Sequence, residues 1–148
     1  MEKGRNFMIT LQDVQQARER IAPYIVRTPL LRIPALDQAL GCQVYLKFEG
    51  FQPIGAFKIR GAMNKALSLT DEERARGLVC ASSGNHAQGV ACAAQRLGTR
   101  AVIVMPTNAN PVKLAGVKSF GGQVELTGTL SSQREARAAQ LATEEGMV

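Results

Sequence analysis

Two short stretches of this 148-residue sequence carry residue types that can do chemistry. In Gly55–Ala62, Lys58 is set among Ala56, Phe57 and Ile59, and a lysine taken out of water by such neighbours serves as an amine nucleophile or base. The second stretch is Ala81-Ser82-Ser83-Gly84-Asn85-His86-Ala87-Gln88-Gly89. A strand that ends in two hydroxyls and a glycine just before a helix gathers N–H groups and hydroxyls at the positive end of the helix dipole, where a carboxylate or phosphate is stabilised. Each stretch also has a plainer explanation. Lys58 at a helix start can simply reach solvent, and Ser83 or Asn85 can simply cap the helix. Arg134 is either a clamp for an anion or a solvated charge on a polar helix face.

Several other chemistries are excluded by spacing. Gly50 to Gly55 has the glycine spacing of a P-loop, but Ala56 and Phe57 follow where Lys and Ser/Thr are required, and Gly84 to Gly89 lacks the middle glycine of a dinucleotide fingerprint. His86, the only histidine, lies six residues from both Cys80 and Cys92, which fits no zinc pattern. Cys42, Cys80 and Cys92 are odd in number with no Cys-x-x-Cys spacing, and read as reduced thiols of a cytoplasmic protein. The net charge of +6 comes from scattered lysines and arginines, with five Phe, two Tyr and no Trp to stack bases, so nucleic acid is no partner. Met1–Phe7 lacks an apolar leader segment and no long apolar run follows, so no membrane partner is expected.

The elements that must position these residues follow from periodicity. Thr10 to Asp13 has the form of a capping box, and the apolar spacing after it predicts a helix over 11–22, ended by Pro23. Pro29 makes Arg27–Leu31 extended, and Pro34 to Leu40 reads as a short helix capped by Gly41. The alternation over Gln43 to Glu49 predicts a strand with one buried face. A loop over 50–55 leads to a helix over 56–69 that begins at the lysine, and Thr70 opens another that Gly77 closes. Strands over 78–81, 101–105 and 124–127 then alternate with helices over 85–97, 111–120 and 131–145. That alternation requires right-handed crossovers and a parallel sheet covered on both faces, so the class is α/β. The division between an irregular first part and a regular second part is placed at residues 66/67. Because a sheet stopped after 131–145 leaves edge and face uncovered, the chain is expected to be the N-terminal part of a longer protein.

Taken together, Val44–Glu49, Gln52-Pro53, Phe57–Ala62 and Ser82–Ala91 resemble the fold-type II pyridoxal-phosphate enzymes, those similar to the tryptophan synthase beta subunit. The resemblance extends to Arg27–Leu30 and to the segment from Met105-Pro106 to Gly122, and is narrower toward the threonine dehydratase and serine racemase branch. It implies that 67–148 is the small three-layer αβα domain carrying the substrate-carboxylate loop, and that 1–66 is an incomplete portion of the larger cofactor domain.

The same resemblance implies pyridoxal 5'-phosphate as cofactor, held by Lys58 as a Schiff base, with Lys58 moving the Cα proton once the substrate amine displaces it. Phe57 would lie against the cofactor ring and Asn85 would bond the ring oxygen. Ser82, Ser83, Gly84, Asn85 and His86 would surround the substrate, with Ser83 on the ring face opposite the lysine and Arg134 facing the site. The implied reaction is elimination of water from threonine or serine to a 2-oxo acid and ammonia, with serine racemase or 3-hydroxyaspartate dehydratase as the alternative within the enzyme class. A non-catalytic carboxylate-binding α/β fragment is the alternative outside it. The implied partners are a small amino acid and, at full length, further copies of the chain. Ala56 and Ile54 stand where many members carry Ser and Thr, which removes hydroxyls near the cofactor and bears on substrate preference. The family's glycine-rich phosphate loop and its partner for the pyridine nitrogen lie beyond the part of the pattern this chain covers.

Overall fold

The structure, a computed structural model, describes residues 8–148, so the polar opening Met1–Phe7 lies outside it. The first helix, α1 (Leu11–Ile21), is set by its cap: Thr10 Oγ1 accepts from the Asp13 amide at 3.2 Å, and the Asp13 carboxylate accepts from the Thr10 amide at 2.7 Å. A 3-10 turn over Ala22–Tyr24 ends it at Pro23. β1 (Leu30–Arg32) and β2 (Tyr45–Lys47) form an antiparallel pair with Leu31 opposite Leu46, joined through α2 (Pro34–Leu40). Gly41 closes α2 at φ 66, a left-handed position that suits a residue with no Cβ.

The strand expected over 43–49 is therefore shorter, and its apolar face is not buried. Leu46 and Phe48 are each 38% exposed and Leu31 is 47% exposed. A period of two shows that one face is apolar but not what covers it. After β2 the chain leaves extended geometry at once for a 3-10 turn over Glu49–Phe51.

The remaining elements are the ones expected, with ends moved by one or two residues. They are α3 (Lys58–Leu67), α4 (Asp71–Arg76), β3 (Leu78–Ala81), α5 (Asn85–Arg96), β4 (Ala101–Met105), α6 (Pro111–Ser119), β5 (Gln123–Leu126) and α7 (Ser131–Glu144). β3, β4 and β5 form a parallel sheet in that order. β4 is buried along its whole length, and its side chains alternate between two cores. Ala101, Ile103 and Met105 face the core shared with α3, α5 and α6, whereas Val102 and Val104 face Leu141 of α7 and Met147.

Helix α5 is the centre of this packing. Residues from Ala87 through Ala94 are buried without a break, four of them Ala with Gly89 and Cys92 beside them, and such small side chains let three neighbours approach. Beyond α7 the chain turns at Gly146 and runs beside β3. There Val79 N donates to Val148 O at 2.8 Å and Val148 N donates to Gly77 O at 3.0 Å, the slanted pairing of a parallel strand. No helix among the described residues is long and apolar enough to cross a membrane.

Candidate active site

All three crossover helices start at the same edge of the sheet, where β3, β4 and β5 end, so their positive ends converge. Those starts differ in how they are finished. Asn110 caps α6 by accepting from the Val112 amide at 2.9 Å, and Gln133 reaches back to the amides of Thr129 and Leu130 at the start of α7. At α5 the cap residue is Gly84, and no side chain caps the helix. The plain capping explanation for Ser83 and Asn85 is thus not what the chain does. Ser82 extends the sheet by donating from its amide to Val104 O at 3.1 Å, its hydroxyl accepts weakly from the Gly84 amide at 3.4 Å, and Ser83 is exposed. The N–H groups of the first turn of α5 are thus left without a side-chain acceptor.

Lys58 reaches this place from the other side. It is the first residue of α3, and α3 packs along α5 because Gly89 has no side chain. A Cβ on Gly89 would lie 3.3 Å from Lys58 O and 3.4 Å from Ala62 Cβ, so a methyl group fits only with a small adjustment and a larger side chain would push the two helices apart. A lysine at the first position of a helix stands at the wrong end of the dipole for a cation, so helix stability does not account for it. The apolar setting expected from sequence is only half realised. Ile59 and Ala56 turn into the core, while Phe57, 58% exposed, and Lys58 turn out toward the rim. The ammonium lies 5.1 Å from the centroid of the Phe57 ring.

His86 is exposed, yet it lines a groove of about 160 Å³ with Gly61, Ala62, Lys65 and Cys80. Partial desolvation, and then the positive charge of Lys58, hold its pKa below the ordinary histidine value. Asn85 is engaged elsewhere: its Oδ1 accepts from Lys113 Nζ on α6 at 2.6 Å. Arg134 is not brought to this group. Its guanidinium donates to Thr129 O at 3.0 Å and Ser131 Oγ at 2.9 Å on its own loop, and its buried Nε has no partner among the described residues.

One cluster that sequence reasoning did not assign holds the loop leading to Lys58. Arg60 grips Glu49 with two hydrogen bonds, Nε to Oε2 at 2.7 Å and Nη2 to Oε1 at 2.8 Å. Buried Thr28 donates to the same carboxylate at 2.6 Å, and buried Gln52 spans the amide and carbonyl of Val26 at 3.1 and 2.8 Å. Foremost the hydrogen bonds from Arg60 bring the Glu49 carboxyl down to about 2. Arg60 is two residues from Lys58, so the cluster fixes the backbone from which the lysine projects. Motif residues Thr28, Glu49, Gln52 and Arg60 were visible in the sequence, but their convergence was not.

A sequence profile of the family described as "Pyridoxal-phosphate dependent enzyme" matches residues 21–148. The chain belongs to that family. It is 43% identical over 137 residues to the L-threo-3-hydroxyaspartate ammonia-lyase of Saccharomyces cerevisiae, covering 93% of this chain and 42% of that protein. It is likewise 43% identical over 141 residues to the L-threonine ammonia-lyase of Thermotoga maritima, covering 95% of this chain and 35% of that protein. Maize serine racemase superposes with a TM-score of 0.92 at 39% identity, covering 96% of this chain and 43% of the other. The chain thus spans less than half the length of these relatives. Pyridoxal phosphate is the cofactor of the family, and the residues present suit it: an exposed lysine amine beside an aromatic ring, an amide-bearing side chain at Asn85, and a helix start whose N–H groups no side chain takes.

Proposed function

We propose that the intact protein is a pyridoxal-phosphate-dependent ammonia-lyase that eliminates water from L-threonine or L-serine, giving a 2-oxo acid and ammonia. The observation that carries this reading is that α3, which begins at Lys58, packs on α5 at Gly89, one turn beyond the uncapped start of that helix. When bound, the cofactor supplies an electron sink for negative charge at the substrate Cα. Every other role belongs to the chain. Lys58 would hold the cofactor, and its free amine would take the proton from Cα. Phe57 would lie against the ring, and Asn85 would donate to the ring oxygen. The α5 amides, with Ser82, Ser83, Gly84 and His86, hold the substrate carboxylate at the positive end of the helix. Arg134 joins them only after its guanidinium leaves Thr129 and Ser131.

The domain reading belongs to the same proposal, with 1–66 as part of the cofactor domain and 67–148 as the small domain. The intact protein is a cytoplasmic homo-oligomer in this reading. Serine racemization is the second reading, favoured by the exposed hydroxyl of Ser83, which would return a proton to Cα from the face opposite Lys58. Adding the cofactor to the full-length protein should give an absorbance band that Lys58→Ala abolishes, and an unchanged band in that variant would sink the assignment. Chiral analysis of the products from L-serine separates the two readings: pyruvate supports the lyase, D-serine the racemase.

A further inference from the structure

We propose that Lys113 is a positioning residue that decides which end of the Asn85 amide faces the site; this rests on the reading of Asn85 as the contact to the cofactor's ring oxygen. An ammonium donates hydrogen bonds and cannot accept them. Lys113 Nζ stands 2.6 Å from Asn85 Oδ1, so the carbonyl end of the amide is drawn toward α6. The opposite orientation would set the ammonium against an NH2 group. With its oxygen engaged, Asn85 offers only N–H donors to whatever lies in front of it, and the neighbouring ammonium polarises them into stronger ones.

The contact is built into the helix packing. One turn further along both helices, a Cβ on Gly116 would lie 2.7 Å from Nε2 of buried Gln88, so α6 approaches α5 closely there. Lys113 and Gly116 are three residues apart, as are Asn85 and Gln88, so the two pairs are successive rungs of one side-by-side contact. Asn110 fixes the first turn of α6, from which half-buried Lys113 projects. A ring oxygen that carries negative charge is stabilised by a donor and opposed by a carbonyl. Lys113 therefore holds the site in the orientation that favours the ionised ring.

The test uses the full-length protein loaded with pyridoxal phosphate and reads the absorbance spectrum across pH, without substrate. Lys113→Met should shift the balance about fivefold from the long-wavelength band of the ionised ring toward the short-wavelength band of the neutral one. Lys113→Arg keeps a donor and should restore the wild-type balance. Lys113→Glu attracts the NH2 end of Asn85 and should shift the balance further than Met, and it carries the test if the Met variant does not fold. A wild-type balance in Lys113→Met or Lys113→Glu with cofactor bound overturns the proposal while leaving the Lys58 reading intact. A band that survives Lys58→Ala overturns both.

Discussion

Replacing Glu49 by Gln removes one charge from the cluster behind Lys58 and leaves its shape. In the folded chain this carboxylate accepts from Arg60 Nε and Nη2, from Thr28 Oγ1 at 2.6 Å and, weakly, from Gln52 Nε2 at 3.4 Å. Held at about 2 against an ordinary 4.5, it binds protons less readily folded than unfolded. At about 1.4 kcal/mol per pH unit, that difference is worth at most about 3 kcal/mol. The Glu49 side chain is 18% exposed and that of Arg60 30%, so solvent screening reduces the figure to about 2 kcal/mol. The sign follows from the lowered value: the stabilisation is present above pH 4.5 and is lost as pH falls from 4.5 toward 2. Denaturant unfolding of the intact protein at pH 7 should show Glu49→Gln less stable by about 2 kcal/mol, and the gap between variant and wild type should close as pH falls toward 2. Cofactor affinity should fall with it, because the loop that carries Lys58 loosens. A variant within 0.5 kcal/mol of wild type at pH 7, or a gap that does not narrow with acid, would refute the claim that this pair holds the loop.

Other perturbations test the packing and the chemistry of the site separately. Gly89→Ala should be close to neutral, its helix-propensity gain of about 1 kcal/mol offset by the 3.3 Å approach to Lys58 O, whereas Gly89→Val should cost about 2 kcal/mol in unfolding experiments and weaken cofactor binding. Gly77→Ala, at φ 98 and with Arg100 Cγ 2.5 Å from the new Cβ, should destabilise by about 2 kcal/mol without touching the cofactor spectrum. Because the pKa of His86 is lowered in the fold, stability should decline as pH falls below about 6.5, and His86→Asn should flatten that part of the profile; an equal slope in the variant would remove His86 as its cause. Burial pushes the Cys80 thiol up to about 12 and Cys92 is buried, while Cys42 is exposed. Alkylation of the native protein followed by peptide mapping should therefore label Cys42 first.

The second half of the fold was legible because its signals are local. β4 reads as one continuous apolar run, and the helices on either side of it carry their own stop or cap, Gly98 after α5 and Asn110 and Gly121 at the two ends of α6. The strand over 43–49 was legible only in part, since alternation marks an apolar face but depends on other segments to bury it. For the site, the types and order of Lys58 and Ser82 to His86 were readable. Their meeting was not, because it depends on Gly89 at the α3–α5 crossing, a contact between residues far apart in sequence. The exposure of Lys58 was misjudged for a related reason. Its apolar neighbours Ala56 and Ile59 turn into the core, while the helix start carries the lysine to the rim. Lys113 carried no signal at all, since nothing in its own helix shows that it reaches Asn85 across to α5.

The central claim is that Lys58 is the amine that holds the cofactor. Reducing the cofactor-loaded, full-length protein with borohydride makes the attachment permanent, and digestion followed by mass spectrometry locates it. The account predicts a single modified peptide containing Lys58, with none recovered from Lys58→Ala. A modified peptide at another lysine, or an unmodified Lys58 in protein whose cofactor band has been reduced, would contradict it.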